Sequence, residues 1–190
     1  MNAPVNLMLD KPTFLQWVQG RRDGRYELED GKVIMHAGGT RRHAETGAGF
    51  VTALRNRLDI RDWVITGSDF AVDAVNSIRF PEVMVTRRSS EDAALSTAEP
   101  VVLIEVLSPS PEGRKRDLVT KPAEYLTLAS LEIYIVAEQE RPEAWVWQRG
   151  PSPERAFPET PLHVEGRDTS IEIAGLGIAV PLAEVYAWLG

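Results

Sequence analysis

The sequence predicts an α/β (α+β) domain built on a mixed β-sheet flanked by helices, and three observations predict it. The first is the run Val101-Val102-Leu103-Ile104-Glu105-Val106-Leu107, which is β-branched and lacks alternation. Such a run reads as a central strand covered on both faces. The second is the order of elements after that run: a Ser108-Pro109-Ser110-Pro111 break, a helix from Thr120 to Leu128, and a buried strand from Glu132 to Val136. Strand, helix, strand in that order implies a right-handed crossover and a parallel pair. The third is Asp30-Gly31 between Tyr26-Glu27-Leu28 and Lys32-Val33-Ile34-Met35, a strong hairpin signal that adds antiparallel strands.

The remaining elements are placed in chain order. Asp10-Lys11-Pro12 starts a short helix, with Asp10 as its cap and Pro12 in its first turn. Phe14, Leu15, Trp17 and Val18 form its apolar face, and Gly20 ends it. From Thr40 to Asp59, Ala44, Ala48, Val51, Leu54 and Leu58 follow a helical period. Trp63-Val64-Ile65 and Phe70-Ala71-Val72 read as strands around Gly67, and Val83-Met84-Val85 as another. Thr86 to Glu99 is polar and reads as a surface loop. Pro122 fits the later helix only in its first turn. Glu143-Ala144-Trp145-Val146-Trp147 alternates, as a half-exposed antiparallel edge does. Two late strands, Leu162 to Glu165 and Ser170 to Ile173, and a helix from Leu182 to Trp188 close the chain.

A chain of 190 residues suits a single domain over residues 1–190 with a core of its own. With 43% hydrophobic and 26% charged residues, the composition is globular rather than disordered. The absence of cysteine excludes a disulfide framework, a thiolate zinc site and a cysteine nucleophile. Met1 to Asn6 lacks a basic region leading into a long apolar run, so no signal peptide is read. The longest apolar stretch, Val101 to Ile104, is far too short to span a bilayer. A cytoplasmic protein with no membrane partner is expected. A net charge of −7 argues against wrapping nucleic acid with a broad basic surface. It leaves room for a nuclease, because acidic metal ligands add negative charge and a local basic cleft can still hold phosphates. Basic residues cluster at Arg21-Arg22, Arg41-Arg42, Arg87-Arg88 and Arg114-Lys115-Arg116, either as solvated loop charges or as phosphate contacts.

Glu105 stands inside the most apolar strand of the chain. An ionised carboxylate there is expensive unless it is paired or binds a metal. It is a metal ligand, the partner of a buried cation, or a strand-end residue facing water. Its place, at the end of a buried parallel strand before a breaker, is where ligand sites collect in open α/β sheets. Pro81 sits naturally at a strand start, which brings Glu82 into the sheet. Lys121 opens the crossover helix, where the helix dipole disfavours a cation, so it is either solvated or held there for a local reason. Two acids on neighbouring strand ends plus a lysine make a minimal phosphodiester-cleaving centre. Carboxylates bind Mg²⁺, which keeps positions open for water and phosphate, and lysine stabilises charge on the phosphate.

At these residues the chain resembles the Uma family of restriction-endonuclease-like proteins, within the PD-(D/E)XK nuclease superfamily. The matching stretches are Tyr26 to Val33, Arg42-His43, Phe80-Pro81-Glu82-Val83, Pro100 to Ser110, Arg116 to Lys121 leading to Tyr125, Leu131 to Val136, and Gly175-Leu176. They cover nearly the whole chain, and Glu105-Val106-Leu107-Ser108-Pro109-Ser110 is the most specific. The resemblance implies a restriction-endonuclease-like core with the metal site where two strands diverge. It implies Glu82 in place of the family's aspartate after proline, and Glu105 as the second acid. The superfamily's lysine, two residues after that acid, is replaced here by Leu107, so the lysine role maps to Lys121. Pro122 is expected to bias Lys121 away from helical geometry. Glu27 becomes an outer metal ligand. His43 becomes a base or phosphate contact, and otherwise caps its helix. Arg41, Arg42, Arg114, Lys115 and Arg116 become DNA contacts.

Two function classes are compatible with these features. One is an endonuclease hydrolysing DNA with Mg²⁺ or Mn²⁺. The other is a catalytically silent relative acting as a binding or interaction module, with the Trp145/Trp147 edge as the candidate homodimer contact. Metal binding separates them.

Overall fold

The computed structural model describes residues 7–36, 38–90, 93–151 and 156–189, so the stretch Met1 to Asn6 read for a signal peptide lies outside the described residues. The chain enters through α1 (Lys11–Gln19), where the Asp10 carboxylate accepts the Thr13 N–H at 2.8 Å. Phe14 is its buried residue. Strands β1 (Arg25–Glu29) and β2 (Lys32–His36) pair antiparallel with Glu29 opposite Lys32. Asp30 (φ 48°) and Gly31 (φ 80°) both take the left-handed conformation that a two-residue hairpin turn needs. Thr40 caps α2 (Arg41–Arg55) by accepting the His43 N–H at 3.1 Å. This helix stops short of Asp59, and Leu58 packs into the core from the turn beyond it.

The next strands are β3 (Trp63–Thr66), β4 (Ala71–Ala74), β5 (Ser77–Arg79), β6 (Val83–Arg87), β7 (Ser96–Thr97) and β8 (Pro100–Val106). The two strands expected around Gly67 separate into different sheets. The expected loop from Thr86 is shorter than its polarity suggests: β6 runs on to Arg87 because Thr86 pairs with Val64, and β7 lies before Glu99.

Beyond β8 the helix starts earlier than expected. It comprises α3 (Pro111–Lys115), a wide π-type turn over Arg116–Thr120, and α4 (Lys121–Tyr125). Pro122 therefore lies inside a continuous helical segment rather than at its start. Lys121 is fully helical (φ −63°, ψ −42°), which corrects the expectation that Pro122 would push it out. The reason is local. The Lys121 N–H bonds back to the Arg116 carbonyl, five residues earlier, and such widened turns open the helix around a residue that cannot donate.

Strands β9 (Ile133–Ala137), β10 (Glu143–Gln148), β11 (Leu162–Glu165), β12 (Ser170–Ile173) and β13 (Ile178–Pro181) and helix α5 (Leu182–Val185) complete the described chain. Six strands form a mixed sheet in the order β11-β10-β9-β8-β6-β3, with β8 and β9 parallel as expected. A second mixed sheet runs β2-β1-β5-β4-β7, and β12 and β13 form a ribbon. Strand β10 is not an edge, since β11 covers its open side, and Trp147 is buried against Tyr134 (centroids 5.5 Å apart). Along β8, Val102 and Ile104 pack with Phe50, Leu54, Leu182 and Val185 on one face. Leu103 packs with Met84, Tyr125, Tyr134 and Trp147 on the other, so the central strand is covered on both sides. Among the described residues, no helix is long and apolar enough to cross a membrane.

Helix α2 meets α5 through Gly49. A Cβ there would collide with the Val185 carbonyl oxygen, whereas one on Gly47 would find its nearest neighbour, Glu82 Cβ, at 3.9 Å. Gly49→Ala is expected to cost about 1–3 kcal/mol by overpacking. Gly47→Ala should gain about 0.5–1 kcal/mol through reduced chain entropy in the unfolded state. Urea midpoints at unchanged slope measure both.

Candidate active site

The register of β6 and β8 sets the site. Val83 stands opposite Ile104 and Met84 opposite Leu103, so one further step places Glu82 opposite Glu105 on the same sheet face. There the strands part, and the Glu82 carboxylate accepts the Val106 N–H at 3.0 Å. Glu105 is 1% exposed and Lys121 4%. Lys121 Nζ lies 2.7 Å from Glu105 Oε1, and the Tyr125 hydroxyl donates to that oxygen at 3.0 Å. Lys121 and Tyr125 are one helical turn apart, which puts both on the face α4 turns toward β8. One turn earlier, Asp117 is also buried. Its Oδ1 is 3.6 Å from Lys121, its Oδ2 accepts the Ser108 N–H at 3.0 Å, and its main-chain carbonyl accepts the Tyr134 hydroxyl at 2.9 Å. From the first turn of α2, His43 Nε2 approaches Glu82 Oε1 at 3.5 Å.

Glu27 joins from the hairpin, with its acceptors already engaged. It lies 3.1 Å from Arg79 Nη1 and 3.0 Å from His36 Nε2, and it accepts the Phe80 N–H at 3.3 Å. Arg79 is wholly buried. Its other contacts are Glu29 at 3.4 Å and Glu124 on α4 at 2.6 Å, so one guanidinium ties the hairpin to the helix that carries Lys121. The planar, multi-donor head of arginine suits such a junction.

Burial pushes the Glu105 carboxyl well above its usual range. Lys121 opposes that, and Glu82 and Asp117 reinforce it. For Lys121, burial works against the charge, but Glu105, Glu27, Asp117 and Glu82 outweigh it and hold the ammonium protonated. Glu27 is buried too, yet Lys121, His36 and Arg79 keep its carboxyl well below the usual range. Burial lowers the His43 pKa against the opposing pull of Glu105, leaving a neutral ring near pH 7.

These groups line a cavity of about 780 Å³ between the hairpin, α2, the end of β8 and the wide turn. Of the expected DNA contacts, Arg116 and His43 line it. Arg41, Arg42, Arg114 and Lys115 lie outside. Arg41 faces Glu45 at 3.7 Å, Arg42 faces Glu140 at 3.2 Å, Arg114 faces Glu138 at 3.2 Å, and Lys115 is exposed. Asp117, Tyr125 and Arg79 were not anticipated, although Asp117 and Tyr125 lie within stretches that carried the family resemblance. Glu82 and Glu105 offer two hard oxygen donors beside the cavity, which fits a cation such as Mg²⁺ that needs only one or two carboxylates besides water and phosphate. A separate group of three ligand-type side chains, Glu143, His163 and Glu165, lies within 4.8 Å on β10 and β11, away from this site.

Over residues 12–181 the sequence matches the family Uma2, described as "Putative restriction endonuclease". The chain belongs to the Uma2 family. A solved protein of Anabaena variabilis, described as a "putative nuclease", superposes on this Uma2 chain with a TM-score of 0.70. The match covers 93% of this chain and 98% of that one at 13% identity, so it shows a shared fold. An uncharacterized protein of Synechocystis is 32% identical over 112 residues, which are 57% of this chain and 58% of that protein's length.

Four carboxylates acting on one lysine make the variants asymmetric. Lys121→Met strands buried acids and is expected to cost roughly 3–5 kcal/mol. Glu105→Gln leaves Lys121 compensated by the other three, so the melting temperature in EDTA should hold or rise. Because Glu105 has a folded-state pKa above its unfolded value, the parent loses stability as pH rises through that folded-state pKa. The variant is free of that loss, so its advantage should widen with pH. Thermal melts across a pH series check both statements.

Proposed function

We propose that this Uma2 chain is a cytoplasmic endonuclease, with residues 1–190 forming one nuclease-like domain, that hydrolyses DNA phosphodiester bonds with Mg²⁺ or Mn²⁺ as cofactor. The observation that carries the reading is the opposition of Glu82 and Glu105 where β6 and β8 part, with the Lys121 ammonium 2.7 Å from Glu105. Glu82 and Glu105 would hold the ion, with Glu27, which also contacts Arg79 and His36, as the outer ligand. When bound, such an ion polarises a phosphate and lowers the pKa of a coordinated water.

The chain's own groups supply the rest. The Val106 N–H and the Tyr125 hydroxyl fix the two carboxylates, so little reorganisation is needed on binding. Lys121, held protonated, offers its charge to the phosphate that develops negative charge during cleavage. His43, neutral near pH 7, accepts a proton at Nε2 from an attacking water. Arg116 meets phosphate inside the cavity, while Arg41, Arg42, Arg114 and Lys115 serve the nucleic acid beyond its mouth. A second reading has one observation in its favour. Lys121 is already the counter-ion of Glu105, as it would be in a silent relative that keeps the pair for structure.

The metal decides between them. Mn²⁺ at a hundredfold excess over Kd is expected to stabilise the parent by about 2.7 kcal/mol and to leave Glu105→Gln unmoved. Calorimetry should show Mn²⁺ binding whose affinity falls as pH is lowered, because the ligand carboxylates must be deprotonated to hold the ion. Plasmid nicking with Mg²⁺ or Mn²⁺ should disappear in the same variant. A parent that ignores the metal and cuts no DNA rejects the nuclease reading in favour of the silent module.

A further inference from the structure

The groups assigned to chemistry line a half-open pocket, with Glu105 (1% exposed) and Lys121 (4%) at its buried end and Glu82 and His43 nearer solvent. Duplex DNA carries its phosphates on the outside of a stiff rod, with a persistence length of about 50 nm. Such a rod is best met by a broad basic surface, which a chain with a net charge of −7 does not favour. The outer-surface arginines offer a duplex no broad basic face, since Arg42 and Arg114 each have a glutamate at 3.2 Å, and they are left to contact a strand beyond the cavity mouth. A cavity of about 780 Å³ falls in the range, about 300–1,000 Å³, that encloses one drug-sized molecule. That is room for a nucleotide or a short length of one strand.

The lining matches such an occupant in chemistry as well as size. Arg21 and Arg22 come from the segment between α1 and β1, Arg25 opens β1, and all three are exposed; Arg116 comes from the wide turn, with Asp23 3.7 Å from Arg21 and Asp117 3.5 Å from Arg116. They bring positive charge to a site otherwise crowded with acids. Phe70 and Phe80 also line the cavity, and both keep part of their surface open. Arginines beside partly exposed aromatic side chains are a combination that holds unpaired nucleotides, because every base has a face to stack.

We infer that the cavity takes unpaired nucleotides of a single DNA strand, and that an intact duplex is not its ligand. The inference rests on the nuclease reading for its chemistry, but it concerns binding and is tested by binding. Fluorescence anisotropy is run with Ca²⁺ in place of Mg²⁺, using a short labelled single strand, the same sequence as a duplex, and an abasic strand of equal length. The single strand should bind about tenfold or more tighter than the duplex. The abasic strand should bind about fivefold or more weakly than the intact one, because it has no bases to stack. The double variant Arg22→Ala/Arg25→Ala, at two exposed side chains, should reduce the log–log salt slope by about 1.4, at about 0.7 for each single-strand phosphate no longer neutralised. Equal or tighter duplex binding, or no binding of the single strand, overturns the inference. Mn²⁺ cleavage run in parallel separates the two ideas. Equal cutting of duplex and single strand overturns the inference and keeps the nuclease. Preferential binding of the single strand without any cutting keeps the inference and removes the nuclease.

Discussion

A carboxylate inside a central strand has to be matched by positive charge, and Glu105 is matched by Lys121 at 2.7 Å. The rest of the site depends on that requirement. Lys121 must reach β8 from a helix lying across the sheet face, which fixes where α4 begins and which of its sides turns inward. Tyr125, one turn on, then meets the same carboxylate oxygen, and Asp117, one turn back, completes the lysine's surroundings. The wide turn over Arg116–Thr120 is the backbone's accommodation of Pro122 in a segment that has to stay helical through Lys121. A buried ion pair is weak grounds for stability, because desolvation offsets much of the Coulombic gain. Surplus acid is another matter. Glu82, Glu27 and Asp117 all act on a lysine that one carboxylate already satisfies. That excess is what the proposed cation-binding centre would use.

A second layer holds this arrangement in place. Arg79, on the short strand β5, contacts Glu27 and Glu29 of the hairpin and Glu124 of α4. Two strands of one sheet and a helix are thus joined by one buried guanidinium, and the cavity opens between the elements it ties together. The site's polar groups are then fixed by the fold before any ligand arrives, which is what electrostatic preorganisation demands.

Glu105 was legible in the sequence because a charge interrupting seven strand residues is anomalous wherever it occurs. Glu82 was legible only by resemblance, since Pro-Glu alone carries no signal. Its facing of Glu105 depends on a pairing register that a single strand's sequence does not encode. The crossover and the hairpin were legible from periodicity and turn chemistry. The helix start was missed because the rules for proline assume regular i→i−4 bonding, and a widened turn changes them. Asp117 and Tyr125 went unassigned because a polar residue on an amphipathic helix looks alike whether it meets water or a buried partner. Arg79 sits in a three-residue strand too short to show a pattern. Trp145 and Trp147 misled for a different reason: alternation reports which sheet face a residue occupies, and says nothing about whether another strand lies alongside.

The most direct test of the account is to crystallise the protein with Mn²⁺ and locate the ion by its anomalous scattering. The account predicts a peak bridging the carboxylates of Glu82 and Glu105, within about 2.0–2.3 Å of their oxygens as for a hard, oxygen-bound divalent ion. No peak there, or a peak confined to Glu143, His163 and Glu165 on the far strands, would contradict it.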